Sequence, residues 1–370
     1  MVAPVIGRAS DRFGRRRTLM VCMAGNIVWT VLWIYSSSFE TFLVARVIAG
    51  LCEGNVQISN TVIADVTDVN TRSSGMALVG IAFAVGFTLG PSIGAYFSTK
   101  TSNEATVSAY APFAMAAMFS LALLLIESAY LYVKLPETLH FKKSPASQQP
   151  SKQAKGDSPR VRQVLQRLNM VHFAYLFFFS GMEYTLTFLT HDKFNFTNMQ
   201  QGRLLGFIGI TSTILQGGYV RRVKGRSGSQ GDKALVTQGM VGCTLGLLSI
   251  AICCFNAKDD GPSWWLWAGA VGFAVASATV VNCLNSMVSL AGDSPGESRA
   301  GGTDTGRRLG DFRSAGQIGR ALGPVFACSV YWLAGATVCY IVGAVAVAAI
   351  TLTFVTGIPA KAHSGTHKTE

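Results

Sequence analysis

The segment 7–17 contains a single carboxylate among five arginines, and it is the sharpest chemical signal in the sequence. Asp11 needs a positively charged partner there, because opposite charges a few ångströms apart attract each other. Gly7 permits another helix to approach closely, and Gly14 permits a tight turn. Such an ion pair can hold two helical blocks together in one state and break in another; the alternative is a basic loop with an incidental aspartate. The residues assigned to this candidate gating loop are Gly7, Asp11, Arg12, Gly14, Arg15 and Arg16.

Two charged residues, Arg46 and Glu53, lie in an apolar stretch that is long enough to cross a membrane. A charge at the centre of a bilayer costs at least about 2.5–3.5 kcal/mol, so such residues are functional candidates. Because they are seven residues apart, they share one face of a helix. Arg46 would then hold an anionic group, and Glu53 would exchange a proton. In the structural alternative, Arg46 reaches outward to the membrane surface and Glu53 closes a hydrogen bond between helices.

Three more polar residues interrupt apolar stretches in the second half of the chain. Glu183 lies midway along one stretch and is a candidate proton-coupling carboxylate, or else it packs against a Tyr or Ser partner. Arg320 is a candidate second anion contact, or else half of a structural ion pair. Asn282 either lines a cavity or joins two helices by hydrogen bonds, as polar residues in spans commonly do.

The composition places these residues in a membrane protein. Only 14% of the residues are charged and the mean hydropathy is +0.36, whereas soluble domains carry roughly 25% charged residues. A bilayer core of about 30 Å needs about 20 apolar residues in a helix, and the alternating pattern of barrel strands is absent from the sequence. The fold is therefore predicted to be all-α and polytopic. The ten candidate spans are 18–36, 41–64, 76–98, 107–134, 170–190, 203–220, 235–256, 264–291, 312–334 and 337–357.

The positive charge is concentrated on one side of the predicted membrane. Of the 31 Lys and Arg residues, three lie in the loops of one side and three lie in or at spans, which leaves 25 for the other side. This asymmetry predicts that the basic side and both termini are cytoplasmic. The net charge of +12 thus reports topology and contact with the lipid bilayer, and it does not indicate nucleic-acid binding. We expect an integral multi-pass protein of the plasma membrane or an endomembrane.

A polar segment, 135–169, divides the spans into four before it and six after it. Its Ser, Gln, Lys and Pro content predicts a flexible cytoplasmic linker. The predicted organisation is an N-terminal helical block at 1–134, a C-terminal helical block at 170–358 and a cytoplasmic tail at 359–370. The uneven split suggests a six-plus-six design in which the first two spans are absent.

Two of the predicted spans carry the same GxxxGP pattern, which supports an internal repeat. They occupy the same position in each half only if two spans are restored at the front, as expected for a parallel repeat about an axis along the membrane normal. The residues assigned to close helix packing are Gly86, Gly90, Pro91 and Gly94 in the first half, and Gly319, Gly323 and Pro324 in the second.

These motifs resemble those of the major facilitator superfamily, and they cover nearly the whole first block. The resembling segments are Gly7–Arg17 (its loop signature), Arg46 with Gly50 and Gly54 (its fourth-span motif), Gly86–Gly94 (its antiporter motif), Asp65–Gly75 (the following cytoplasmic loop) and Leu135–Thr138 (the signature closing its sixth span). The second block, including Gly181–His191, resembles an animal branch of the superfamily that is related to the bacterial drug:proton antiporters.

The resemblance implies a transporter of small organic anions or drug-like molecules that works by alternating access and exchange, with protons as a candidate coupling ion. The alternative is a membrane protein that lacks two cavity-lining spans and acts as a partner or is inert. An enzyme is disfavoured, because His172 and His191 lie at opposite ends of one predicted helix and form no catalytic cluster. No cofactor or metal is expected, since the eight cysteines lack metal-ligand spacing. We expect a monomer.

Overall fold

The computed structural model describes residues 2–36, 38–67, 71, 75–83, 85–86, 89–90, 93–94, 114–138, 159–256, 264–291 and 305–357. In these ranges all regular secondary structure is helical. The helices are α1 (Ala3–Phe13), α2 (Arg15–Ile34), α3 (Phe39–Cys52), α4 (Asn55–Val66), α5 (Ala114–Lys134), α6 (Pro159–Phe194), α7 (Asn198–Ile214), α8 (Arg221–Asn256), α9 (Trp264–Leu290), α10 (Thr305–Ala334) and α11 (Ala336–Gly357). A helical segment at 75–83 lies between α4 and α5, and a π-helix at Leu215–Val220 joins α7 to α8.

Six helical stretches within the described residues are long and apolar enough to cross a membrane. They are Arg15–Ile34, Phe39–Val66, Met115–Lys134, Gly231–Asn256, Trp264–Leu290 and Ala336–Gly357. Together with the all-helical secondary structure, they confirm the predicted fold class, an all-α polytopic membrane protein.

The remaining predicted spans differ in how much of them the structure describes. The spans at 170–190, 203–220 and 312–334 are helical, but polar residues such as Glu183 and Arg320 interrupt their apolar sequence. Residues 107–113 and part of 76–98, including Pro91, lie outside the described residues. The same holds for residues 139–158 of the predicted linker and for the predicted tail 359–370, so the block boundaries stay a prediction.

The predicted span 41–64 is two helices and not one, because the chain breaks at Glu53 and Gly54. Helix α3 ends at Cys52, and Glu53 has φ −72° and ψ 76°. The Gly54 amide donates to the Cys52 carbonyl at 2.8 Å, which closes an inverse γ-turn. A Cβ atom on Gly54 would lie 2.8 Å from Cys22 Sγ and 2.9 Å from Ile6 Cγ2, so glycine lets α1 and α2 approach this turn. The break places Glu53 at an irregular point inside an apolar stretch.

The buried apolar side chains in the described residues form two separate clusters. The smaller one is built from α1, α2 and α4 and includes Met23 and Ile58, with Leu135 packed against it. The larger one is built from α6 to α11 and includes Tyr175 and Phe312. In this second group α6 packs against α10, and α8 packs against α9 and α11.

Glycines allow α10 and α6 to pack with their backbones in contact. A Cβ atom on Gly319 would lie 2.5 Å from the Phe173 carbonyl oxygen, and one on Gly323 would overlap the Phe177 carbonyl. Pro324 lies inside the same helix, where it removes one backbone donor. Close packing of this kind favours small residues between membrane helices.

The corresponding glycines of the first half have different surroundings. Gly86, Gly90 and Gly94 have no described heavy atom within 4 Å of the position that a Cβ would take. Their predicted packing role therefore stays a prediction.

Replacing Gly319 with alanine should destabilise the protein. The added methyl group meets a backbone carbonyl that cannot move alone, and overpacking of this type typically costs about 1–3 kcal/mol. Thermal unfolding in detergent, followed by tryptophan fluorescence, measures the effect. Gly206→Ala in α7 is the matched control, since no described heavy atom lies within 4 Å of its Cβ position. Equal midpoints for the two variants would show that the α6–α10 contact is looser than the structure indicates.

Candidate functional site

The side chain of Arg15 is fully buried and is held by two carboxylates. Its Nη1 lies 2.6 Å from Asp11 Oδ1, and its Nε lies 2.8 Å from Asp65 Oδ2. Nη1 also donates to Ser10 Oγ at 2.6 Å. The exposed fraction of both the Arg15 and the Asp65 side chain is 0%. A buried charge is stable only when it is paired and hydrogen-bonded, so this network fixes α1, α2 and α4 relative to one another.

Asp11 also contacts the N-terminus of α10, which lies almost 300 residues away in the chain. Its Oδ1 accepts from the Gly306 amide at 3.2 Å, and its Oδ2 accepts from the Arg307 amide at 3.0 Å. The first amides of a helix have no partner within the helix and attract negative charge. Burial raises the pKa of Asp11, while Arg15 and the two amides act in the opposite direction. The carboxylate thus joins Arg15 to the start of α10.

Helices α1 and α4 meet α10 at a contact that we call the seam. A Cβ atom on Gly7 would overlap the Gly306 carbonyl, and one on Gly310 would lie 2.7 Å from the Ala3 carbonyl oxygen. Gln57 of α4 bridges α1 and α10, because its Nε2 donates to the Ala3 carbonyl at 2.9 Å and to the Gly306 carbonyl at 3.3 Å. A Cβ atom on Gly306 would lie 2.7 Å from the Gly7 carbonyl oxygen, so the seam depends on the absence of side chains at Gly7, Gly306 and Gly310.

The rest of the predicted gating loop is held by Glu137, at the end of α5. Its carboxylate accepts from the Arg15 amide at 2.8 Å and from the Arg16 amide at 3.2 Å, which caps α2. Gly14 has φ 102°, and a Cβ there would overlap the Glu137 carboxylate, so glycine is required for this turn.

The arginines Arg12 and Arg16 differ from Arg15 in that they contact aromatic rings. Arg12 lies 5.4 Å from the ring centroid of Phe13, and Arg16 lies 5.4 Å from that of Tyr132. Arg16 also donates to the Tyr132 carbonyl. Arg15 is thus the arginine of this loop that forms an ion pair with Asp11.

The guanidinium of Arg46 lies among three aromatic rings. The distances from its Cζ to the ring centroids are 5.0 Å for Phe42, 5.3 Å for Trp33 and 5.7 Å for Trp29. Such cation–π contacts stabilise an arginine without neutralising its charge. The side chain is exposed. The structure does not pair Arg46 with Glu53, because α3 ends at Cys52 and Glu53 has its partner elsewhere.

Two arginines of α10 reach carboxylates on other helices. Arg313 Nη2 lies 3.2 Å from Glu53 Oε1, across the seam. Arg320 Nη2 lies 4.0 Å from Glu183 Oε2 of α6, which is the limit for an ion pair. The two arginines are seven residues apart and so lie on one face of α10. Glu183 and Arg320, which were separate candidates in the sequence, are therefore neighbours.

Asn282 lies apart from these ion pairs and is buried in α9. A Cβ atom on Gly80, in the helical segment 75–83, would overlap the side chains of both Asn282 and Gln216. Asn282 thus lies at a close contact between the first and second parts of the chain.

The sequence reasoning did not identify Arg313, Asp65, Glu137 and Gln57 as site residues. Asp65 and Glu137 lay in segments that resembled family signatures, which was a signal for them. Arg313 is the second residue of the predicted span 312–334, next to a basic segment, where an arginine is not unusual. Gln57 is neutral and carried no signal, since its role depends on the carbonyls of two other helices.

The apolar helices, with charged residues within them and a buried ion network, are those of a polytopic membrane protein. The family model of the Major Facilitator Superfamily matches residues 1–303. The chain belongs to this superfamily, which consists of transporters and not of enzymes.

The chain is similar to several known members along most of its length. It is 37% identical to the mouse and human proteins called major facilitator superfamily domain-containing protein 10, over 92% of this chain and 72% of each relative. It is 24% identical to the class E tetracycline resistance protein of Escherichia coli, over 89% of this chain and 74% of that protein. The crystal structure of the human organic anion transporter MFSD10 (TETRAN) matches with a TM-score of 0.77 and 32% identity, over 95% of this chain and 80% of that one.

Replacing Asp65 with asparagine should destabilise the protein strongly. The change leaves the buried Arg15 with one carboxylate in place of two, and breaking a buried pair typically costs about 3–5 kcal/mol. The measurement is the unfolding midpoint in detergent. Glu40→Gln removes a carboxylate from an exposed position in α3 and should leave that midpoint unchanged. If both variants unfold like the parent protein, the Arg15 network contributes little to stability.

Proposed function

We propose that this protein carries small organic anions across a membrane by alternating access, coupled to the movement of protons. The observation that carries the proposal is the arrangement on α10: its N-terminus is closed against α1 by Asp11, while Arg320 and Glu183 remain partly exposed further along. The similarity to a human protein that is named an organic anion transporter supports the substrate class.

The contacts between the two parts of the chain favour a rocking mechanism. The contacts described above between the first part of the chain (residues up to 138) and the second part (residues from 159) are of two kinds. Helix α1, Glu53 and helix α4 contact α10, and Gly80 contacts Asn282 and Gln216. On α10 these contacts lie between residues 306 and 313, at the end of the helix that contacts Asp11. We propose that this end faces the cytoplasm, as do both termini, and that it is closed in the conformation described here. Transport then requires the seam to open.

Charged side chains within the spans are the candidate substrate contacts. An exposed arginine within an apolar helix cannot face hydrocarbon at low cost, so we expect Arg46 and Arg320 to face a polar space between the helices. Arg46 offers a positive charge beside three aromatic rings, which suits an anion with an apolar body.

The pairing of Glu183 with Arg320 supports coupling to protons by cotransport rather than by exchange. A proton on Glu183 neutralises the carboxylate and releases Arg320 to bind the solute anion. Loss of the proton restores the ion pair and displaces the solute. Glu53 is the second carboxylate in the described residues that pairs with an arginine of α10 within a predicted span.

Replacing Arg46 with alanine should reduce transport of an aromatic carboxylate at least about tenfold, because a hydrogen bond to a charged group contributes about 1.5–3 kcal/mol. The assay is uptake of labelled p-aminohippurate by proteoliposomes that contain the purified protein. Arg203→Ala is the matched control, since Arg203 is exposed at the start of α7. Full uptake by a well-folded Arg46→Ala protein would remove Arg46 from the site. A folded parent protein with no uptake would favour the alternative of a non-transporting membrane protein.

Replacing Asp11 with asparagine should lower the maximal rate of transport much more than it changes the KM for p-aminohippurate. The neutral side chain weakens both the Arg15 pair and the contact with the α10 amides, so the closed conformation is less populated while the substrate contacts are intact. Counterflow kinetics in the same proteoliposomes separate the two constants. An unchanged maximal rate would show that Asp11 does not control the seam.

A further inference from the structure

The ion pair between Glu53 and Arg313 crosses the seam deeper than Asp11 does. Asp11 contacts the amides of residues 306 and 307, and Arg313 lies six residues further along α10. At 1.5 Å per residue this is about 9 Å along the helix axis. Two charge contacts therefore close the seam, an outer one at Asp11 and an inner one at Arg313.

The two contacts are connected by one polar face of α4. Gln57, Thr61 and Asp65 follow Glu53 at intervals of four residues, so they lie on one side of the helix. Thr61 Oγ1 donates to the Gln57 carbonyl at 2.8 Å, and Gln57 contacts α10 at Gly306. All three are buried. If Glu53 moves away from Arg313, we therefore expect the movement to reach the face of α4 from which Asp65 holds Arg15.

The inner contact differs from the outer network in its exposure. The exposed fractions are 17% for the Arg313 side chain and 55% for the Glu53 side chain, against 0% for both members of the Arg15–Asp65 pair. Glu53 also lies at the chain break, where no helix fixes its backbone. Exposed ion pairs are weak, at about 0–1 kcal/mol. An anion in the polar space can therefore compete with Glu53 for Arg313, whereas Asp65 is inaccessible to it.

We propose that Arg313 is an anion-binding gate residue: the carboxylate of the transported anion displaces Glu53 from its guanidinium and thereby releases α4 from α10. This inference rests on the proposed transport of organic anions. The exchange replaces one carboxylate by another on the same guanidinium, so Arg313 stays paired while Glu53 is released. The pair between Arg320 and Glu183 has a different role, because both residues lie in the second part of the chain and do not bridge the seam.

The test is counterflow of labelled p-aminohippurate in proteoliposomes, at the same pH on both sides. Glu53→Gln removes the internal competitor and should lower the KM by up to about fivefold, whereas Arg313→Gln removes the anion contact and should raise the KM about tenfold. The double variant should have the KM of Arg313→Gln, because Glu53 acts only through Arg313. Arg313→Lys keeps the positive charge and part of the affinity, which separates loss of charge from a folding defect. Arg203→Gln is the charge-matched control and should have the parent KM.

A merely structural ion pair would not give opposite changes in KM for Glu53→Gln and Arg313→Gln. If both single variants raise the KM, or neither changes it, while the parent protein transports p-aminohippurate, the gate proposal is overturned and the proposed function stands. If the folded parent protein shows no counterflow of p-aminohippurate, both the gate proposal and the proposed function are overturned.

Discussion

The two parts of the chain meet where the buried carboxylate of Asp11 finds the partners that it needs. Asp11 is largely shielded from water, and a charge in that position is stable only with opposite charge and donors around it. Arg15 supplies the charge from α2, and the first amides of α10 supply the donors. Gly7 and Gly306 must then lack side chains, since the backbones of α1 and α10 are in contact. Without this carboxylate, the buried arginine keeps Asp65 as its charged partner, but the first amides of α10 lose their acceptor.

One ion pair lies at the seam and another lies beside it in the first part of the chain, and the two differ in their exposure to water. The pair of Arg15 with Asp65 is fully buried, so separating it would leave two charges without water. It is suited to fix helices permanently. The pair of Glu53 with Arg313 is open to its surroundings and contributes little to stability. A contact of that strength can be made and broken by a ligand at each transport cycle.

The sequence predicted those features that depend on local pattern. Hydropathy predicted the helical membrane fold, and the lone Asp11 among arginines predicted an ion pair there. It did not predict which arginine pairs, since Arg15 is distinguished from Arg12 only by burial against Ser10 and Asp65. The assumption of one continuous span did not predict the break at Gly54, nor the contact of Glu53 with Arg313 of α10. Partners such as Glu137 and Gln57 depend on three-dimensional contacts that no periodicity reports.

Helix α10 links the seam to the candidate coupling pair. Its N-terminal half contacts α1 and α4, and its later part packs on α6 through Gly319 and Gly323 with no room for adjustment. Because closely packed helices move as one body, opening the seam must carry α6 with α10. The distance between Arg320 and Glu183, which bridges these same two helices, is then insulated from the movement. In the proposed mechanism, a change at that pair therefore comes from a proton or a solute, while a change at Arg313 also comes from the movement itself. Binding at one end of α10 and gating at the other would then be carried by a single helix.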